Sequence, residues 1–166
     1  MKQQIIVSGI GGQGVLFLTR VIAQVAVDRG LPVLTAETHG MAQRGGTVLS
    51  TIKVGNFASP LIRTGQGDLG LLLWDDNLAV HRTLLKSTGT ILLNSEQTGE
   101  GIRLDAAKLA RELGNAVLLN LILLGRAVRE QAIFCSAEEC AAAIRKLAPQ
   151  RFVEQNLQAF QKGLTS

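Results

Sequence analysis

The feature that most constrains this chain is Gly9-Ile10-Gly11-Gly12-Gln13-Gly14, four glycines in six positions directly after the apolar run Ile5-Ile6-Val7-Ser8. Glycines packed this densely mark a sharp reversal that side chains would obstruct, so the segment must be a tight turn leaving a strand. The next segment is helical. Leu16, Val21, Ile22, Val25 and Ala26 recur at helix spacing between Gln13 and Asp28, and Gly30 supplies a stop. Pro32 then opens a second strand through Val33, Leu34, Thr35 and Ala36. Strand, turn, helix and strand predict a βαβ unit and a parallel sheet element.

The middle of the chain reads differently. Thr47 to Val54 alternates polar and apolar residues, the pattern of a hairpin arm or a solvent-edged strand. Leu69 to Trp74 is a fully apolar strand. Asn77 to Leu85 reads as a helix with Asp75, Asp76 or Asn77 available as caps, and Thr90 to Leu93 as another strand. A loop, Glu96 to Gly101, leads to a short strand at Ile102 to Leu104. Asp105 can cap a helix over Ala106 to Leu113, and Ala116 to Arg129 reads as a mostly buried helix. Ser136 and Glu139 form a capping box for Ala137 to Leu147, with Cys140 on its core face. Pro149 can begin a last helix whose apolar face is Phe152, Val153, Leu157, Phe160 and Leu164. No linker divides the chain, so residues 1–166 read as a single domain.

At 166 residues such a domain buries roughly 70% of its unfolded surface and needs no metal or disulfide to hold a core. The content of 46% hydrophobic and 18% charged residues excludes extended disorder. Net charge is +4 with no run of five like charges, and aromatics are 4% with no tyrosine, which disfavours nucleic acid binding. The longest apolar run, Ala116 to Gly125, is interrupted by Asn120 and is too short to span a bilayer. Two cysteines and no window resembling a signal peptide predict the reducing cytoplasm.

Two segments carry candidate chemistry. The first is the glycine turn, which satisfies GxGxxG between a strand and a helix. Glu37 stands 23 residues after Gly14, near where a ribose-binding acid stands in a dinucleotide fold. Gly9, Gly11, Gly12, Gln13 and Gly14 are therefore candidates for an anionic ligand, and an NAD(P)-binding protein is one reading. A tight βα turn with no ligand is the other. A Walker loop is excluded because no Gly-Lys-Ser/Thr comes after it. The second segment is Glu37-Thr38-His39-Gly40-Met41-Ala42-Gln43-Arg44-Gly45-Gly46-Thr47, beyond the carboxyl end of the second strand, where open α/β sheets place ligands. Arg44, flanked by Gln43, Gly45 and Gly46, can offer a planar fork to a phosphate or carboxylate, and His39 can carry a proton near neutrality. A rigid loop with Arg44 paired to Glu37 or Asp68 competes with that reading. No zinc or iron–sulfur spacing, nucleophile elbow or triad occurs, so no metal site is expected.

The runs GIGGQGV from Gly9 to Val15 and ETHGMAQRGGT from Glu37 to Thr47 resemble the gamma-type subunit or domain of the 2-oxoacid:ferredoxin oxidoreductases, most of all the beta subunit of indolepyruvate:ferredoxin oxidoreductase. Val48 to Val54, Ser59-Pro60, Asp68, Gly89, Asn94, Asn120, Leu124-Gly125 and the tail Asn156 to Gly163 continue the likeness along the whole chain. Where the family has an acidic, proline-containing segment, this chain has Trp74-Asp75-Asp76-Asn77. The resemblance implies a three-layer α/β/α domain with a Rossmann-like, mostly parallel sheet and an antiparallel portion, as in domain III of pyruvate:ferredoxin oxidoreductase. It implies assembly with a large thiamine-diphosphate-binding subunit that also carries magnesium and the iron–sulfur clusters. Coenzyme A would accept the acyl group and ferredoxin the electrons, in anaerobic metabolism. This chain would bind no cofactor tightly. His39, Gln43 and Arg44 would line the partner's active site or the coenzyme A approach. An assembly protein without catalysis, or a globule that associates with itself when isolated, stands beside this reading.

Overall fold

The computed structural model describes residues 1–39 and 46–166, the His39 side chain excepted. Six strands form one mixed sheet: β1 (Gln3–Ile10), β2 (Val33–His39), β3 (Thr47–Val54), β4 (Gly67–Leu72), β5 (Leu85–Asn94) and β6 (Ile102–Leu104). Their spatial order is β2-β3-β1-β4-β5-β6. The run from β1 through β4 and β5 to β6 is parallel, and β3 pairs antiparallel with both β1 and β2. Helices α1 (Val15–Asp28), α3 (Ala106–Glu112), α4 (Leu119–Arg129), α5 (Ala137–Leu147) and α6 (Val153–Thr165) cover one face. The other face carries a thinner layer, the short α2 (Asn77–His81), a 3-10 turn at Arg82–Leu84 and the segment 55–66. The three-layer arrangement is the one expected.

One expectation is corrected. β1 and β2 point the same way but are not neighbours, because β3 is wedged between them. Of the two readings of β3, the hairpin arm holds, since it pairs antiparallel with β2, and the solvent-edged strand does not, since Ser50 to Val54 are all buried. Thr51 and Lys53 are buried with partners, whereas Ser50 Oγ, on the face under α1, is buried with none among the described residues. The Thr51 hydroxyl donates to the Pro60 carbonyl at 2.9 Å, and Lys53 Nζ donates to the Leu61 carbonyl at 2.9 Å while lying 4.6 Å from the Phe57 ring centre. Alternation in sequence normally marks a wet face, but here segment 55–66 folds over that face and satisfies it.

Local signals explain most helix ends. Asp105 accepts from Lys108 N at 3.0 Å, and Ser136 with Glu139 makes both bonds of a capping box. Cys135 and Cys140, both free thiols, bracket that box as its hydrophobic staple, and hydrogen bonding with the Cys140 thiol, together with burial, pushes the Cys135 pKa far up. Two helices are shorter than expected, α2 giving way to 3-10 geometry at Arg82 and α4 following a 3-10 turn at Ala116–Leu118. Pro149 precedes another 3-10 turn, and Phe152 is half exposed instead of lining the core. The expected α2 caps have other work. Asp76 makes no side-chain cap bond, Asp75 accepts from Ser95 Oγ at 2.6 Å, and Asn77 turns inward.

The crossing of α4 and α6 depends on Gly125 and Gly163. A Cβ on Gly125 would overlap the Phe160 carbonyl, and one on Gly163 the Ile122 carbonyl. Backbone cannot yield as a side-chain tip can, so Gly163→Ala is expected to cost about 3 kcal/mol, read as a lowered midpoint in thermal or urea unfolding.

His81 is buried on α2 with Nε2 unpartnered among the described residues, and desolvation pushes its pKa below the ordinary value. The folded state therefore holds it neutral while the unfolded chain protonates it near pH ~6.5. Stability is expected to be fully present above that pH and to fall as pH drops through it. Urea titrations between about pH 7 and 5 should show this slope, and His81→Gln should flatten it.

Candidate functional site

β1 ends at Ile10, and Gly12 and Gly14 adopt left-handed φ values of 91° and 76° to carry the chain into α1. Gln13 does most of the stitching: its Oε1 accepts from Ile10 N at 2.9 Å, and its Nε2 donates to the Leu73 carbonyl, just past β4, at 3.0 Å. This explains Gly9. A Cβ there would stand 2.7 Å from Gln13 Oε1 and 3.2 Å from Leu73 Cβ. Asn94 Nδ2 also donates to the Leu73 carbonyl at 3.0 Å, and its Oδ1 accepts from Ala107 N at the start of α3. Asn77 Nδ2 reaches Ser8 Oγ at 2.9 Å and the Gly9 carbonyl at 3.1 Å, and Asn120 Nδ2 reaches the Gly14 carbonyl at 3.1 Å.

Four side-chain amides thus close the point between β1 and β4, where an open α/β sheet ordinarily leaves a crevice. The opening lies on the other side of the turn. Ile10, Gly11, Gly12, Gly14, Val15, Leu16, Phe17 and Val48 line a cleft of about 320 Å³. Gly14 is the N-cap of α1 and has no side chain to bond the first-turn N–H groups, so the positive end of the helix dipole stands uncapped beside this apolar wall. Leu16, Trp74 and Val117 are 37%, 41% and 36% exposed, and Val117 packs against Gly14.

Gly11 N donates to the Gly46 carbonyl at 3.2 Å, and Ile10 stands opposite Thr47 in the β1–β3 ladder. The end of the second sequence segment therefore sits on the glycine turn. Gly40 to Gly45, with Gln43 and Arg44, lie outside the described residues, as does the His39 side chain. Glu37 is exposed on β2 opposite Ser50. With β3 between, β2 is two strands from β1, roughly 10 Å away in the sheet, so Glu37 does not stand where a dinucleotide fold places its ribose acid. Asp68, a suggested partner for Arg44, lies at the opposite end of the sheet, accepting from Gln4 N at 2.7 Å and Lys86 Nζ at 2.5 Å. Among the described residues no three His, Cys, Asp or Glu side chains gather as metal ligands.

Sequence reasoning missed Asn77 and the closing role of Gln13. A lone Asn after two aspartates reads as a cap, and only the tertiary fold turns it toward Ser8. If Gln13 is what demands Gly9, the two positions are coupled. Gly9→Ala should be costly alone and at least ~1 kcal/mol less so in a Gln13→Ala background, a double-mutant cycle read by urea unfolding.

Known proteins agree with this geometry. A family model described as pyruvate ferredoxin/flavodoxin oxidoreductase matches residues 4–166. The indolepyruvate oxidoreductase subunit IorB of Archaeoglobus fulgidus is 29% identical, over 98% of this chain and 94% of that protein. The gamma subunit of a keto/oxoacid ferredoxin oxidoreductase from Geobacter sulfurreducens superposes with a TM-score of 0.81 at 26% identity, covering 98% of this chain and 96% of that one. The pyruvate oxidoreductase subunit PORC of Thermotoga maritima shares the fold at a TM-score of 0.80 and 24% identity, covering 99% and 96%. The protein whose glycine turn and Gly46 meet at one end of the sheet belongs to the pyruvate ferredoxin/flavodoxin oxidoreductase family, as a gamma-type subunit of the 2-oxoacid:ferredoxin oxidoreductases.

Proposed function

We propose that this chain is an accessory subunit that docks, through the end of the sheet bearing the glycine turn, onto a larger cytoplasmic subunit holding thiamine diphosphate, magnesium and iron–sulfur clusters. The complex would oxidatively decarboxylate a 2-oxoacid, releasing carbon dioxide, passing the acyl group to coenzyme A and the electrons to ferredoxin. The observation that carries the reading is the Gly11–Gly46 bond, which brings the end of the second sequence segment to the glycine turn, beside an apolar cleft with exposed Leu16 on its wall and exposed Val117 against Gly14. Apolar side chains left at a polar rim are what a docking partner covers.

Within this reading Arg44 meets an anionic group, the 2-oxoacid carboxylate or a coenzyme A phosphate, with His39 and Gln43 orienting it. Gly9, Gly11, Gly12, Gln13, Gly14, Gly45 and Gly46 form the surface beneath. Indolepyruvate is the favoured substrate because the Archaeoglobus relative is named for it. The accessory role fits the described titratable groups, since the Cys135 thiol is held protonated and His81 is sealed in the core. The rival NAD(P)-binding reading keeps the glycine motif, but β3 separates its acid from its turn.

Co-purification from the native host under low oxygen, with mass spectrometry and ferredoxin-reduction assays, tests the proposal. A large thiamine-diphosphate subunit in stoichiometric yield is expected. Arg44→Ala should lower kcat/KM for the 2-oxoacid or for coenzyme A by about tenfold or more while the complex stays assembled. A chain recovered without such a subunit, binding NADH at micromolar levels in a Glu37-dependent way, would refute it.

A further inference from the structure

The wedged strand β3 leaves β2 as a sheet edge, and its backbone orientation can be read from the hydrogen bonds. Gly55 N donates to the Pro32 carbonyl at 2.9 Å, which fixes the phase of the antiparallel ladder. Leu34, Ala36 and Thr38 exchange bonds with Lys53, Thr51 and Leu49, so Val33, Thr35, Glu37 and His39 aim their N–H and C=O groups away from the sheet. Among the described residues nothing pairs with them. The edge also lacks the usual devices against association. It runs seven residues with no proline or lysine, and Glu37 is its one acid or lysine/arginine charge.

We infer that β2 pairs with β2 of a second copy, antiparallel about Ala36, joining the two sheets into one. In this register Thr35 of each copy faces Glu37 of the other and Val33 faces His39, all with outward-pointing groups, so every pair can exchange bonds. No like charges meet along the strand pair. Glu37 lies on the sheet face covered by α1, and Arg20, exposed on α1 and unpaired among the described residues, supplies the opposite charge on that face. α1 also brings apolar surface. One flank is tied to α5 by Arg29–Glu139 at 2.6 Å and Lys146–Asp28 at 2.9 Å, whereas Leu16, Ala23 and Val27 line the flank turned from α5, with Val27 57% exposed. A twofold at Ala36 sets the two α1 helices side by side, so these stripes cover each other. The pairing is independent of the proposed catalytic complex.

Light scattering on the purified chain at tens of micromolar should give twice the 17.7 kDa of one copy. Thr35→Pro removes an outward N–H that the sheet does not use, so it should keep the fold by circular dichroism yet raise the dimer dissociation constant at least about tenfold. Ala36→Cys should cross-link to its own copy under mild oxidation, because facing residues of a non-bonded pair lie about 4.5 Å apart and both native cysteines are buried. A monomer at these concentrations overturns the inference. So does a dimer indifferent to Thr35→Pro that Ala36→Cys fails to cross-link, or cross-linking of that cysteine to a catalytic subunit instead.

Discussion

The Leu73 carbonyl, just past the end of β4, accepts hydrogen bonds from two side-chain amides, Gln13 from the glycine turn and Asn94 from the end of β5. Three parallel strands, the turn and the start of α3 are fastened at this oxygen, since Asn94 also takes the Ala107 N–H. An amide can serve such a junction because it donates and accepts at once, whereas a carboxylate only accepts and a hydroxyl reaches less far. Buried backbone groups at the strand ends must find partners somewhere, and here side chains supply them. The consequence for function is direct. The place where doubly wound folds bind ligands is filled by the protein's own amides, and the accessible surface moves to the opposite side of the turn, against β3 and Gly46.

β3 decides what that surface can become. By inserting between β1 and β2 it brings the start of its own strand beside the glycine turn, as the Gly11–Gly46 bond shows, and carries Glu37 away from it. Two glycines of this spacing also have a packing reason that the dinucleotide fingerprint does not supply. In that fingerprint glycines admit a pyrophosphate; here Gly9 admits the Gln13 amide and Gly14 admits Asn120.

Much of this was legible in the sequence because local chemistry specified it. The Ser136–Glu139 box, the Asp105 cap and the period of α1 each depend on residues within one or two turns of each other. The strand order was not legible, because it is set by which faces of β3 become covered. That depends on the Pro60 and Leu61 carbonyls answering Thr51 and Lys53, contacts to a segment with no regular pattern. The glycine turn was found by its motif, but its mechanical reason was hidden, because Gln13 and Leu73 are 60 residues apart. Asn77 was read as a cap because aspartates precede it, and only its partner Ser8, 69 residues away, shows otherwise.

The two surfaces of the chain are compatible by geometry. The glycine turn sits at the carboxyl end of β1, and β2 runs in the same direction as β1. An antiparallel β2–β2 junction would therefore point the two carboxyl ends in opposite directions, so the proposed docking end of each copy would face away from the other. Leu16 borders both, lining the cleft with its neighbours on the first turn of α1 and beginning the stripe that continues to Val27. A symmetric pair built this way would leave both clefts open, one at each end, for the proposed large subunit. A single interaction, the wedging of β3, is what makes the edge and the cleft separate surfaces. Had β2 paired directly with β1, Glu37 would lie beside the turn and β3 would be the exposed edge, with the buried Lys53 and Thr51 side chains at its rim.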